Sequence, residues 1–129
     1  MMDYKDLAME AREARKKAYA PYSKYKVGAA VLTAQGNVYT GSNVENSSYG
    51  LSMCAERVAL FKAVSQGEVE IKAVAIVAEA DVSPCGACRQ VLFEFAPEAD
   101  VITLSSTGEV EVTKVKDFLP KAFALKKLP

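Results

Sequence analysis

Cys54, Cys85 and Cys88 are the three cysteines of the chain, and histidine is absent. Cys85 and Cys88 form a Cys-x-x-Cys step behind Pro84 at the predicted start of a helix, and Cys54 stands at or near the start of another. Helix N-termini carry partial positive charge and unpaired N–H groups, which favour thiolate over thiol. Three thiolates aimed at one spot make a soft site that prefers tetrahedral geometry, and zinc matches it best. A structural zinc is closed by four Cys or His ligands, one more than this chain offers. The fourth position then falls to water, a carboxylate or another chain. Three protein ligands plus water is the arrangement of a catalytic zinc.

Each of these residues taken singly has a plainer use. A Cys-x-x-Cys pair also serves as a redox dithiol, although that chemistry follows a strand in thioredoxin-like βαβ units, unlike the order read here. Cys54 also suits a small buried apolar position. Glu56 reads as a first-turn charge favoured by the helix dipole, and Arg57 as a surface arginine pairing with Glu10 or Glu13. Asn43 and Glu45 are ordinary loop formers. The combination is more specific than its parts. Cys54-Ala55-Glu56 together with Pro84-Cys85-Gly86-Ala87-Cys88 is the three-cysteine form of a zinc-deaminase signature.

The elements that must bring these residues together are legible in the apolar pattern. Asp3 can cap a first helix to about Tyr19, with Leu7, Ala11, Ala14 and Ala18 as its stripe and Pro21 as its stop. Strands follow over 27–33, with close-packing Gly28, Ala29 and Ala30, and over 38–42 after a Gln35-Gly36-Asn37 turn. The polar stretch 43–52 reads as a loop. A second helix runs from about 53 to 66, with Val58, Phe61 and Val64 as its apolar positions and Gly67 as its end. The apolar run 71–78 is typical of a central strand buried on both faces. A third helix spans 86–95, closed by Pro97. Strands over 101–104 and 110–113 are too close for a crossover and predict an antiparallel hairpin. A short helical segment ends at Leu119-Pro120. This order predicts a three-layer α-β-α sandwich around a mixed five-stranded sheet.

The length of 129 residues fits one domain spanning 1–129. A chain of this size buries about two thirds of its unfolded surface and needs no disulfide. Sixteen basic residues balance sixteen acidic ones, so no global field draws the protein to nucleic acid or an anionic membrane. A small near-neutral substrate fits better. The start, Met1-Met2-Asp3-Tyr4-Lys5-Asp6, lacks a signal-peptide layout, and no apolar run approaches the ~20 residues of a membrane span. A soluble, cytoplasmic protein is expected.

The chain resembles the small homotetrameric cytidine deaminases along nearly its whole length. The resemblance runs through Ala20-Pro21-Tyr22-Ser23-Lys24, Val27-Gly28-Ala29-Ala30, Asn43-Val44-Glu45-Asn46, Cys54-Ala55-Glu56-Arg57 and 83–90, and on into Leu119-Pro120 and Phe123. It implies one zinc per chain on Cys54, Cys85 and Cys88, with Glu56 as proton shuttle rather than ligand. The chemistry agrees with that role. Deamination at C4 needs N3 protonated, water deprotonated and the leaving amino group protonated, and one carboxylate can carry all three protons in turn. The resemblance makes Arg57 a donor to the sulfurs, where it offsets the formal −1 charge of zinc with three thiolates.

It further implies that Asn43 and Glu45 hold the sugar 3′-hydroxyl and that the Ala55 backbone N–H meets the pyrimidine. Tyr25 stands where relatives usually carry a pocket-lining phenylalanine. Tyr49 and Phe123 match residues that reach a neighbouring subunit's site, for the 5′-hydroxyl and the ring face. The implied activity is hydrolytic deamination of cytidine and 2′-deoxycytidine within a homotetramer, without nucleic-acid or membrane partners. A blasticidin-type antibiotic deaminase is the nearest rival, and a non-enzymatic zinc-stabilised module is the rival from another class.

Overall fold

The structure, a computed structural model, describes residues 2–105 and 107–125. Asp3 caps helix α1 (Tyr4–Arg15) by accepting a hydrogen bond from the Lys5 N–H at 2.9 Å. Strands β1 (Val27–Thr33) and β2 (Val38–Ser42) pair antiparallel, with their expected bounds. Helix α2 (Ala55–Ser65), strand β3 (Ile71–Ala78) and helix α3 (Gly86–Phe95) follow, then strands β4 (Asp100–Leu104) and β5 (Val110–Lys114). Single 3-10 turns occupy Tyr49–Leu51 and Val115–Phe118.

The sheet order is β2-β1-β3-β4-β5. The β3–β4 pair is parallel and the β4–β5 pair is the expected antiparallel hairpin. Strands β1 and β3 alternate between two cores, as a period of two requires. Ala29, Val31, Val74 and Ile76 face α2 and α3, while Ala30, Leu32, Ala73 and Ala75 face Leu7, Ala8 and Ala11 of α1. The sheet is therefore the middle of three layers.

Two glycines set how closely the helices lie on it. A Cβ at Gly28 would meet the Ala11 carbonyl oxygen at 1.9 Å, and one at Gly41 would meet the Ala59 nitrogen at 2.5 Å. Bare backbone at Gly41 lets α2 sit down on β2, which fixes where the helix begins. The buried face of α2 is made of Ala55, Ala59, Leu60 and Ala63. The expected stripe of Val58, Phe61 and Val64 is instead only partly covered, and Phe61 remains 42% exposed. Close approach favours the alanines and pushes larger side chains to the flanks.

Helix α1 also ends sooner than expected, at Arg15 rather than near Tyr19. Tyr19 pairs with Val44, its N–H donating to the Asn43 carbonyl at 2.9 Å and its carbonyl accepting from Glu45 at 2.8 Å. Extended pairing at Tyr19 overrides the helical propensity of the residues before it.

Gly67, at φ +87°, ends α2 and turns Glu68 under the β1–β2 hairpin. There its buried carboxylate accepts from Thr33 Oγ1 at 2.7 Å, from Asn37 Nδ2 at 3.1 Å and from the Tyr39 hydroxyl. The Tyr39 bond, then the Thr33 and Asn37 bonds, hold its pKa below the ordinary 4.5. A depressed native pKa contributes stability that is full above the unfolded value and lost as pH falls through the native one. Melting temperature followed from neutral pH through that window should fall further for the native protein than for Glu68→Gln. Parallel curves would contradict this account of the hairpin.

Candidate active site

The N-termini of α2 and α3 meet at one end of the sheet. Cys54 is the N-cap of α2 but makes no side-chain capping bond, which leaves its sulfur free to turn inward. Cys85 is the N-cap of α3, and its sulfur accepts from the Cys88 N–H at 3.5 Å. All three Sγ atoms lie within 4.8 Å of one another, with Cys54 and Cys85 at 3.8 Å. Sulfurs on a tetrahedral zinc, at about 2.3 Å from the metal, stand about 3.8 Å apart. The spacing and the all-thiolate donor set fit zinc.

The electrostatics agree. Cys54 is drawn down to about 5, first by a hydrogen bond from the Cys88 thiol and then by the Arg57 guanidinium and Cys85, against an opposing effect of burial. Cys88 is pushed up by its bond to Cys54 and by its own burial. Three thiolates this close cannot all ionise unless a cation sits among them.

Glu56, in the first turn of α2, is 4% exposed. Burial, reinforced by the Cys54 thiolate, pushes its carboxyl up to about 6, while the Cys88 thiol and the Arg57 charge pull the other way. A buried carboxyl with a pKa near neutrality can both take and return a proton. Arg57 turns inward, its Nη2 3.4 Å from the Cys54 sulfur. The surface pairing with Glu10 or Glu13 is not what its side chain does. Its Nε is buried without a hydrogen-bond partner among the described residues.

A cleft of about 370 Å³ opens above the cysteines, within the ~300–1,000 Å³ typical of small-molecule sites. Tyr25, Asn43, Glu45, Tyr49, Ala55 and Glu56 all line it, with Cys54 and Cys85. Asn43 is fixed at both ends of its amide, accepting from the Val27 N–H at 2.8 Å and donating to the Tyr25 carbonyl at 2.8 Å. Glu45 is buried, and its Oε1 accepts from the backbone N–H of Tyr22 at 3.0 Å and of Ser23 at 3.1 Å. The Ser23 hydroxyl donates to the other oxygen and is the foremost cause of a lowered Glu45 pKa.

Ala55 begins α2, where backbone N–H groups have no intrahelical partner. The family resemblance implies a place for Tyr49 in a neighbour's site; within one chain it lines the cleft, its hydroxyl 3.4 Å from Glu45 Oε2, and the residue is 57% exposed. Phe123 does not line its own chain's cleft. Its carbonyl accepts from Gln90 Nε2 at 2.9 Å and the residue is 68% exposed. Ser23 went unassigned in the sequence, although it lies inside the Ala20–Lys24 motif; its signal was proximity to Tyr25 in a turn, which spacing alone does not convert into a contact with Glu45.

Residues 1–104 match the family model described as the cytidine and deoxycytidylate deaminase zinc-binding region. The chain belongs to this deaminase family. It is 49% identical to a cytidine deaminase of Sporosarcina psychrophila, over 95% of this chain and 93% of that relative. A cytidine deaminase crystal structure from Burkholderia pseudomallei superposes with a TM-score of 0.90 at 49% identity, covering 95% of this chain and 100% of the other. The Mycobacterium tuberculosis cytidine deaminase structure gives 0.85 at 38% identity, covering 97% of this chain and 100% of the other. A blasticidin-S deaminase of Bacillus cereus is more distant, 30% identical over 76% of this chain and 76% of its own length. Among the described residues, no helix of this deaminase-family chain is long and apolar enough to cross a membrane.

Proposed function

We propose that this chain, acting as one domain over residues 1–129, catalyses zinc-dependent hydrolysis of cytidine and 2′-deoxycytidine to uridine and 2′-deoxyuridine, releasing ammonia. The observation that carries the reading is a buried glutamate, Glu56, beside three convergent cysteine sulfurs on the wall of a nucleoside-sized cleft. Cys54, Cys85 and Cys88 hold the zinc. Bound there, zinc supplies the Lewis acidity that lets water ionise near neutral pH.

Glu56 moves the protons. It takes one from the attacking water and delivers it to N3, which makes C4 electrophilic. It then takes the remaining hydroxyl proton and delivers it to the C4 amino group, which leaves as ammonia. Arg57 draws charge from the Cys54 sulfur, so that three thiolates do not blunt the metal. The Ala55 N–H meets the pyrimidine, Asn43 and Glu45 take the 3′-hydroxyl, and the Tyr25 ring walls the cleft. Three reduced cysteines suit a cytoplasmic setting.

Turnover of cytidine, 2′-deoxycytidine and blasticidin S by purified protein, read as ammonia release, tests the assignment. The two nucleosides should be the better substrates by kcat/KM. Preference for the antibiotic would overturn it.

The active unit in this reading is a homotetramer. The segments bordering the cleft expose Tyr22, Val44, Tyr49 and Leu51, and large apolar side chains gathered on one surface mark an interaction site. Phe123 of an adjacent copy would cover the pyrimidine face, and Tyr49 would serve the 5′-hydroxyl across the same boundary. Phe123→Ala should raise KM and leave zinc content unchanged. After subunit exchange, mixtures of Phe123→Ala with Glu56→Ala should exceed the summed activity of the two, because some hybrid sites regain both side chains. A fully active monomer in sedimentation at assay concentration would exclude shared sites.

A further inference from the structure

The Ala20–Lys24 motif forms a turn beside the cleft. It closes on itself through the Lys24 N–H, which donates to the Ala20 carbonyl at 3.0 Å, with Lys24 at φ 61°. A left-handed lysine has no local advantage over glycine, so the turn is held by what surrounds it. What it surrounds is the Glu45 carboxylate. The N–H groups of Tyr22 and Ser23 point at Oε1, and the Ser23 hydroxyl at Oε2.

That hydroxyl has only one orientation open to it. Its oxygen accepts from the Tyr25 N–H at 3.0 Å, so its single hydrogen goes to Glu45. The carbonyl of Tyr25 in turn holds the Asn43 amide at 2.8 Å. One turn thus braces both side chains assigned to the sugar, and it fixes Glu45 as an acceptor.

We infer that Ser23 is a positioning residue for sugar recognition: with the Tyr22 and Ser23 N–H groups it holds the Glu45 carboxylate ionised and aimed at the 3′-hydroxyl of the substrate. The inference rests on the cytidine reading above. It makes the Ala20–Lys24 motif a part of substrate selection rather than of folding alone. A carboxylate already held by three donors loses little freedom when the sugar hydroxyl arrives, which is the advantage of preorganisation. Without the hydroxyl of Ser23, Oε2 keeps only the longer contact from the Tyr49 hydroxyl at 3.4 Å, so it is held less firmly and is open to water, and binding of the sugar weakens while the chemistry at C4 is untouched.

The test compares native protein and Ser23→Ala, zinc-loaded, on cytidine and on 3′-deoxycytidine. Ser23→Ala should lose about tenfold in kcat/KM on cytidine, the order of one hydrogen bond to a charged group, and the loss should fall on KM with kcat nearly unchanged. On 3′-deoxycytidine the same variant should lose less than about twofold, since the hydroxyl that Glu45 serves is gone. An equal loss on both substrates would overturn the inference and leave Ser23 a structural residue, as would no loss on cytidine. Native protein that turns over both substrates equally would remove the sugar role of Glu45 and the inference with it. Native protein inactive on cytidine would instead overturn the reading on which it rests.

Discussion

Glu56→Ala should bind zinc and fold like the native protein yet lose at least ~10²–10⁴-fold in kcat, the usual weight of acid–base catalysis. The true loss should exceed that range, because one carboxylate serves several proton transfers in sequence. Its surroundings explain why no other group replaces it. There is no histidine in the chain, and Glu45, which shares the cleft, is held ionised by the 20–25 turn. Burial keeps the Glu56 carboxyl near 6, where it can accept and return a proton at neutral pH, whereas the lowered pKa of Glu45 suits an acceptor that stays charged. Metal content and circular dichroism separate the two possible failures. A variant that lost zinc would make Glu56 a ligand and revive the closed, non-enzymatic site.

Serine at Cys54, Cys85 or Cys88 should each remove most of the bound zinc and abolish turnover. The three sulfurs sit on two helix N-termini, and removing one leaves two soft ligands, too few to hold zinc in a tetrahedral site. The three substitutions should not be equal in stability. Cys85 also caps α3 through the Cys88 N–H, a role serine can fill, while Cys54 makes no capping bond to lose. Cys88 is fully buried, so the shorter side chain of its serine variant leaves a gap and a poorly reached Cys54 partner with no water to compensate, and it should be the least stable. Metal analysis of the three purified variants checks the claim. Any one that kept full metal and activity would take that cysteine out of the site.

The parts of this structure written in local chemistry were legible from the sequence. Cysteines at helix starts, a glutamate two residues after the first of them and apolar runs bounded by turns pointed to the convergence of the three sulfurs, to Glu56 beside them and to the bounds of β1, β2, β3 and α3. What escaped depended on partners distant in the chain. Tyr19 ends α1 early because it pairs with Val44, a contact no helical pattern encodes. Alanines outcompete Val58 and Phe61 for the buried face of α2 because Gly41 lets the helix come close, a property of the neighbouring strand. Ser23 and Glu68 are both polar residues whose importance lies in what they touch across the fold, the first at Glu45 and the second at Tyr39 and Thr33.

In the proposed reaction, three cysteines and one glutamate make a zinc site that deaminates a free nucleoside. The direct measurement follows the ultraviolet absorbance of cytidine with purified protein before chelation, after removal of zinc by a chelator, and after zinc is restored. Conversion to uridine with one ammonia released per turnover, loss of that activity on chelation, and its return with about one zinc per chain are expected. Cytidine left unchanged by the zinc-loaded protein, or conversion that persists at full rate in metal-free protein, would contradict the proposed reaction.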